Sequence, residues 1–402
     1  MRPHHLSLLG LLVCAPRAAA QVRPGVEVLL ADSSHLVRGR RVGLLTNQTG
    51  VDRAGRRTID LLAGAPGVRL VLLLSPEHGI RGVEDRPGLP DAVDSATGLP
   101  IYSLYGGTPL AAIAALDSVD VLLVDLQDIG ARYYSYPATT VLLMQEAVRR
   151  GKRIVVLDRP NPIGGIAVEG NVPARPGPIR GPADFLAVPM RHGMTLGELM
   201  RMANAVYAIQ ARLTVVPARG WRRSQFYDAT GLPWVRPSPN MPDLESALDY
   251  PGTCLFEATN LSVGRGTDMT FQVLGAPWLD TAGVLGALRR APPAGVALSG
   301  VAFTPRAPTD AKYDGVLLAG LRLRVTDRRR YDPTRTALAL LVAIHAVGRD
   351  SLRFNGARFD QLAAGPELRE AIAAGRSAAA IARGWPRALT RFRQARAAYL
   401  LY

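Results

Sequence analysis

At 402 residues the chain is long enough for two domains with a core each, and 48% hydrophobic with 20% charged residues excludes a disordered chain and a membrane channel. A formal charge of +15 suggests nucleic acid until the basic residues are taken singly: only Lys152 and Lys312 are lysines, and the arginines are scattered along the chain. With no basic run interleaved with aromatics and no zinc-finger, helix-turn-helix or RRM pattern, no nucleic-acid partner is expected.

Residues 1–20 stand apart. Arg2 and two histidines precede a short apolar run over 6–13, and Ala18, Ala19 and Ala20 precede Gln21, the pattern of a secretory signal peptide. The run is too short to span a bilayer. The mature protein is therefore expected outside the cytoplasm, periplasmic or extracellular, where a basic surface is drawn to acidic envelope polymers in a salt-sensitive way. Cys14 follows Val13, bulkier than the residue a lipidation signal needs, so lipid anchoring is disfavoured. Removing the signal leaves Cys254 alone, which rules out an intramolecular disulfide.

Residues 41–47 read as a first strand ending in Thr46, Asn47, Gln48 and Thr49. A short helix over 56–63 leads to the apolar run 70–74, which lacks a helical period and reads as a strand buried on both faces. It stops at Glu77, His78 and Arg81, spaced by Gly79 and Gly82. The polar connection 83–100 is of a length that is usually functional or disordered. Residues 101–105, 120–125 and 153–157 read as further strands, with a helix over 137–150 between the last two. Thr195 and Glu198 form a capping box for another helix, and 213–216 reads as a strand.

Strand, helix, strand at this spacing implies right-handed crossovers and a parallel sheet. Four strand ends, carrying the polar clusters 46–49, 77–81, 125–132 and 158–161, then share one edge, where ligands of open α/β sheets bind. Four prolines, Pro233, Pro237, Pro239 and Pro242, mark residues 231–242 as an interdomain crossing. Beyond the polar, Gly-punctuated stretch 250–272 an α+β region is expected, with strands over 300–304 and 317–325 and helices over 334–347, 366–374 and a last one reaching Tyr402.

The carboxylates of the proposed crevice are Glu77, Asp125, Asp128, Asp158 and Glu169, with Glu257 and Asp268 as visitors from the second domain. A pair flanking a bond, one protonated and one ionised, is the minimal equipment for glycoside hydrolysis. Glu77 is the strongest candidate; Asp125 and Asp158 read as structural. His78 and His192 each precede a glycine, with loop structure and function evenly weighed. No HExxH, CxxC, GxSxG, Walker A or post-strand GxGxxG pattern occurs, so neither a metal nor a nucleotide cofactor is expected. Tyr133, Tyr134, Tyr136, Trp221 and Trp234 suit either sugar stacking or core packing.

The strings GLLTNQTGVD (43–52), SPEHGIRG (75–82), TGLPIYSLYG (97–106), VDVLLVDLQDIGARYYSY (119–136), DRPNPIGG (158–165), VEGN (168–171), RHGMTLGEL (191–199), PSPNMP (237–242), YPGTCLFEATNLSVGRGTD (250–268) and YLLY (399–402) together resemble one family. That family is the exo-β-N-acetylmuramidases, exported bacterial proteins long described as a domain of unknown function. The resemblance runs from about residue 41 to 402. It implies a Rossmann-like catalytic domain over 21–236, a smaller α+β domain over 237–402, and an active site in the cleft between them. It also implies removal of terminal N-acetylmuramic acid from the non-reducing end of peptidoglycan-derived muropeptides or disaccharides.

Carried over, Glu77 becomes the general acid and Glu169 its partner, with His78, Asp128, Tyr134, Asn161, His192, Asn240 and Asp268 lining the subsite. An arginine among Arg81, Arg132, Arg159 and Arg265 would pair with the lactyl carboxylate of muramic acid and reject N-acetylglucosamine. Carboxylates about 5 Å apart would retain configuration and roughly 6.5–9.5 Å apart invert it; participation of the substrate's acetamide is a third route that leaves Glu169 without a covalent role. Ala258 in FEATN, and Met269 and Thr270 after Asp268, depart from the family pattern. A non-catalytic muropeptide-binding protein and a hydrolase of another bond are the rival readings.

Overall fold

The computed structural model describes residues 21–105, 110–174 and 186–402. The predicted signal peptide lies outside the described residues. The chain opens with a helix that periodicity does not single out, α1 (Gly25–Asp32), followed by β1 (Arg41–Thr46), α2 (Thr58–Ala63) and β2 (Arg69–Ser75). The polar connection holds the two-residue β3 (Ala92–Val93) and leads to β4 (Pro100–Ser103). Then come α3 (Leu110–Ala115), β5 (Val121–Asp125), α4 (Ser135–Arg149), β6 (Arg153–Leu157), α5 (Leu196–Val206) and β7 (Arg212–Val216).

These strands form one sheet in the order β3-β4-β2-β1-β5-β6-β7, parallel throughout except for β3 on β4. Because side chains alternate across a strand, each apolar run feeds two cores. Val42 and Leu44, Val121 and Leu123, and Val155 and Leu157 pack with α1 and α2 on one face. Leu45, Leu122, Val124, Ile154 and Val156 face the other. Burial on both faces is why the strands read as unbroken apolar stretches with no polar alternation.

The predicted capping box is present: Thr195 accepts from the Glu198 amide while the Glu198 carboxylate accepts from the Thr195 amide. The second half of the chain contains α6 (Leu244–Thr253), β8 (Val273–Ala276), α7 (Thr281–Leu288), β9 (Val296–Phe303), β10 (Leu318–Val325), α8 (Pro333–Val347), α9 (Gly356–Ala363), α10 (Glu367–Ala373), α11 (Ala378–Ile381) and α12 (Trp385–Arg396). Its antiparallel sheet runs β8-β10-β9.

Here the structure adds β8, α7 and α9 to the expected elements and departs from the sequence expectation at α6 and at the last helix. Helix α6 occupies part of a stretch read as irregular, because Pro251 and Gly252 in its last turn mask the periodicity. Gly252 is there for close approach: a Cβ would lie 2.1 Å from the Pro333 carbonyl oxygen at the start of α8. The last helix stops at Arg396, short of Tyr402. The tail is laid on α5, where the Arg201 guanidinium binds the carbonyls of Tyr399 and Leu400 at 2.7 and 3.2 Å.

One apolar cluster runs from the α4 face of the sheet into the second half without a break, joining Tyr133 and Tyr134 to Met241, Leu248, Tyr250, Phe271 and Leu338. No helix among the described residues is long and apolar enough to cross a membrane.

Candidate active site

The carboxyl ends of β2, β1, β5 and β6 lie side by side. Beyond β2 the chain turns sharply, with His78, Gly79 and Gly82 at φ 71, 74 and 66. Gly82 is needed for space as well as for conformation, since a Cβ would fall 1.9 Å from the Gln48 side chain at the end of β1. The turn holds Glu77 half-buried. Ser135, in the first turn of α4, donates its hydroxyl to Glu77 Oε2, and the Tyr105 hydroxyl bonds the same carboxylate. Burial, and after it the Glu77 charge, pushes the Tyr105 phenol up.

Two buried rings, Tyr134 and Tyr136, meet edge to face behind the carboxylate, with centroids 4.8 Å apart. The Tyr136 hydroxyl accepts from Asn47 Nδ2 at 2.8 Å and donates to the Pro237 carbonyl at 2.6 Å. Gln48 Nε2 donates to the Arg236 carbonyl at 2.7 Å. The proline-rich crossing is thereby fastened to the end of β1, and it brings Asn240 over the turn. Asn240 Nδ2 and Arg265 Nη1 both donate to Asp85 Oδ2, at 2.8 and 3.0 Å. Glu257 holds Arg265 from its other side, its Oε1 accepting from Nε at 3.0 Å and Nη2 at 2.5 Å. The segment that follows Glu77 is thus held by groups from both halves of the chain.

Toward β5 and β6 the same edge is closed. Asp125 and Arg159 are buried and paired at 2.5 Å, with Thr58 donating to the same carboxylate. Asp158 accepts from Thr195 Oγ1 at 2.6 Å, the Gly197 amide at 2.8 Å and the Tyr402 hydroxyl at 2.8 Å; burial nevertheless pushes its carboxyl up to about 6. Asn161 bridges the Ile163 amide and the Met194 carbonyl. His192 Nδ1 accepts from the Met194 amide, which leaves the ring proton on Nε2, 3.5 Å from Asp128 Oδ2. Burial, then Arg396 and Arg223, holds this ring down at about 3, while burial raises Asp128 to about 7; the two face each other as a neutral ring and a carboxyl that resists ionisation, not as an ion pair. Arg132 donates to the carbonyls of Asn171, Val188 and Leu362.

Glu169 sits in this closed half. It pairs with Arg191 at 3.0 Å, and burial pushes it up to about 7 against that cation. Among the described residues Glu77 and Glu169 share no hydrogen-bond partner. β2 and β6 are three strand spacings of about 4.8 Å apart, roughly 14 Å between axes.

Arg81 and Asp268 lie exposed. Trp221 packs edge-on to Tyr402 and Trp234 to Tyr227 in a small cluster of their own, and the Tyr133 ring is edge-on to Tyr250 in the core. Sequence reasoning passed over Asp85, Tyr105, Ser135 and Thr309. Ser135 and Tyr105 stand inside quoted motifs and were within reach; Asp85 is one of several acids in a long polar connection, and nothing local distinguishes it. Among the described residues no three His, Cys, Asp or Glu side chains converge as a metal-ligand set.

Residues 42–245 match the family model described as exo-beta-N-acetylmuramidase NamZ, N-terminal, and residues 248–402 match its C-terminal counterpart. The chain belongs to the NamZ exo-β-N-acetylmuramidase family. The two NamZ models meet inside α6. A Bacillus subtilis (strain 168) protein named peptidoglycan beta-N-acetylmuramidase NamZ is 38% identical over 391 residues, 95% of this chain and 92% of that protein. Crystal structures of two DUF1343-family proteins from Bacteroides fragilis NCTC 9343 superpose with TM-scores of 0.86 and 0.76, at 33% and 30% identity, each over 95% of this chain and 99% of the other. The α/β architecture with a larger, mostly parallel sheet and a smaller second one is shared with them.

Proposed function

We propose that this chain is an exported exo-β-N-acetylmuramidase that hydrolyses the terminal non-reducing N-acetylmuramic acid from peptidoglycan fragments in cell-wall turnover, needing neither metal nor nucleotide. The observation that carries the reading is Glu77. It is a half-buried carboxylate on a strained turn past a strand's carboxyl end, bonded by Ser135 and Tyr105 and faced by groups from the second half of the chain. Family membership supplies the reaction class, and the relative named as a peptidoglycan β-N-acetylmuramidase supports the substrate. Glu77 is the general acid that protonates the leaving oxygen. Arg265, held between Asp85 and Glu257 and reaching toward the Glu77 turn from the second half, is the cation assigned to the lactyl carboxylate, which would replace one of those two carboxylates; Arg132 and Arg159 are bound to buried partners away from that turn. Export follows from residues 1–20 as a cleaved leader, which puts the mature protein in the periplasm or outside the cell.

The test is release of 4-nitrophenol by residues 21–402 from the β-N-acetylmuramide and the β-N-acetylglucosaminide, with Glu77→Gln alongside. Turnover of the muramide alone, abolished in the variant, is the expected result. Binding of the muramide with no turnover overturns the enzymatic reading in favour of a muropeptide-binding protein.

A further inference from the structure

The carboxyl edge of the larger sheet carries Glu77; its amino edge carries arginines. Arg69 opens β2, Arg41 opens β1, Arg153 opens β6 and Arg212 opens β7, so that along β2-β1-β5-β6-β7 only β5 opens differently, with Val121 preceded by Asp120. Parallel pairing sets Arg41 beside Arg69 and Arg153 beside Arg212. Four strand spacings of about 4.8 Å make the row roughly 19 Å long. Strand β2 is 7 residues long, and at about 3.3 Å per residue the row lies roughly 20 Å from the Glu77 turn.

Within the row is a cavity of about 260 Å³ whose charged lining is Arg40, Asp120, Arg150, Lys152, Arg153 and Arg212. These charges do not cancel. Asp120 is taken by Arg41, at 2.8 Å through the guanidinium and 2.9 Å through the amide. Arg150 is paired with Glu146 at 2.7 Å and Asp117 at 3.2 Å. Lys152 Nζ donates only to the Asp117 carbonyl, at 3.2 Å, which leaves its charge unmatched. Arg40, Arg153 and Arg212 are exposed, and among the described residues no carboxylate pairs with them. Four cations therefore line one cavity without an anion of the protein's own.

Like charges on neighbouring strands repel, and an anion set between them turns that repulsion into attraction. A phosphate group meets the requirement: its oxygens diverge, so more than one guanidinium donates to it, and each contact is charge-assisted. The cavity is smaller than the roughly 300–1,000 Å³ of sites for drug-sized ligands, so it takes the phosphate and leaves the molecule that carries it outside, along the row.

We propose that the amino edge of the larger sheet is a binding site for phosphate groups, with Arg40, Lys152, Arg153 and Arg212 holding one phosphate and Arg69 on the path of a chain that carries more. A phosphate-bearing polymer and a free phosphate ester offer the cavity the same chemistry; only the polymer extends to Arg69. The site is separate from the Glu77 cleft and does not depend on the muramidase reading.

Calorimetric titration of residues 21–402 with inorganic tripolyphosphate and with long-chain inorganic polyphosphate tests this. Both should bind, and more weakly at about 200 mM salt than at about 50 mM. Arg153→Gln combined with Arg212→Gln should raise both dissociation constants about tenfold or more. Arg289→Gln combined with Arg290→Gln removes the same charge from exposed positions of the second half and should leave both within about twofold of the parent's. Equal losses in the two double variants reduce the effect to net charge and overturn the site, as does a parent protein that binds neither phosphate. Poly-L-glutamate bound as tightly as polyphosphate overturns phosphate as the group recognised. Arg69→Gln separates the sources: weakened long-chain binding with tripolyphosphate unchanged assigns the site to a polymer, and no change in either assigns it to a free ester. Because the substituted side chains are exposed, urea midpoints should match the parent's, so that lost binding is not lost fold.

Discussion

Two halves of one sheet edge have been put to opposite uses. Around β2 and β1, Glu77 and Asp85 are met by hydroxyls, an amide and a guanidinium that arrive from five separate stretches of chain, and Glu77 stays only half-buried. Around β5 and β6, Asp125, Asp128 and Asp158 are buried among protein partners, and the partly buried Glu169 is paired with Arg191. Both halves are polar strand ends of the same family motifs. What separates them is what is laid on top: the C-terminal tail seals one, with Tyr402 on Asp158 and Leu401 donating to Glu198, while the proline-rich crossing and the Arg265 loop frame the other.

The halves should differ most under removal of a single carboxylate or its partner. Glu77→Gln on the open side should lower kcat on a muramide about 10²–10⁴-fold and leave the urea midpoint unmoved; a shifted midpoint would make Glu77 structural. Arg159→Met on the closed side should do the reverse, costing about 3–5 kcal/mol because Asp125 is left buried without its cation. Urea denaturation should show that loss, with kcat per folded molecule retained. Tyr402→Phe should cost about 1–3 kcal/mol, since the Ala218 amide loses its acceptor and Asp158 a donor; an unchanged midpoint would mean the tail does not seal this half.

The smallest effect expected is in the pH dependence of stability, and its sign differs between the halves. Burial raises Glu169 from the 4.5 of an exposed Glu to about 7. Its stabilising contribution is therefore complete below about 4.5 and lost as pH rises through 7. Asp85 behaves oppositely: burial pushes it up, but Thr309, Arg265, Asn240 and His78 together hold it below 3.8, so its contribution is present above 3.8 and lost as pH falls through its lower folded value. Urea midpoints of Glu169→Gln should equal or exceed the parent's near pH 8 and fall below the parent's advantage near pH 4, whereas Asp85→Asn should lose most near neutrality. Parallel pH profiles for the two variants would erase the distinction.

Local pattern reached a good part of this molecule because two of its signals are local. An apolar run without helical period is a strand buried on both faces wherever it lies, so β1, β2, β5 and β6 were legible, and with them the shared polar edge. A capping box is complete within four residues, so the start of α5 was legible at Thr195. The elements that escaped, among them α1, α3, α6, α7, α9, β3 and β8, are short or interrupted, and Gly252 lets α6 approach α8 closely.

The amino-acid sequence by itself determined the parallel sheet, the edge where its polar residues gather, the family, and Glu77 as the residue to watch. Only the tertiary structure decided which polar residues at that edge meet. Asp85 gains Asn240 from 155 residues away and Arg265 from 180, and Asp158 gains Tyr402 from 244. Partnerships over such separations depend on how strands are ordered and where the returning chain is laid, and no spacing along the sequence encodes either.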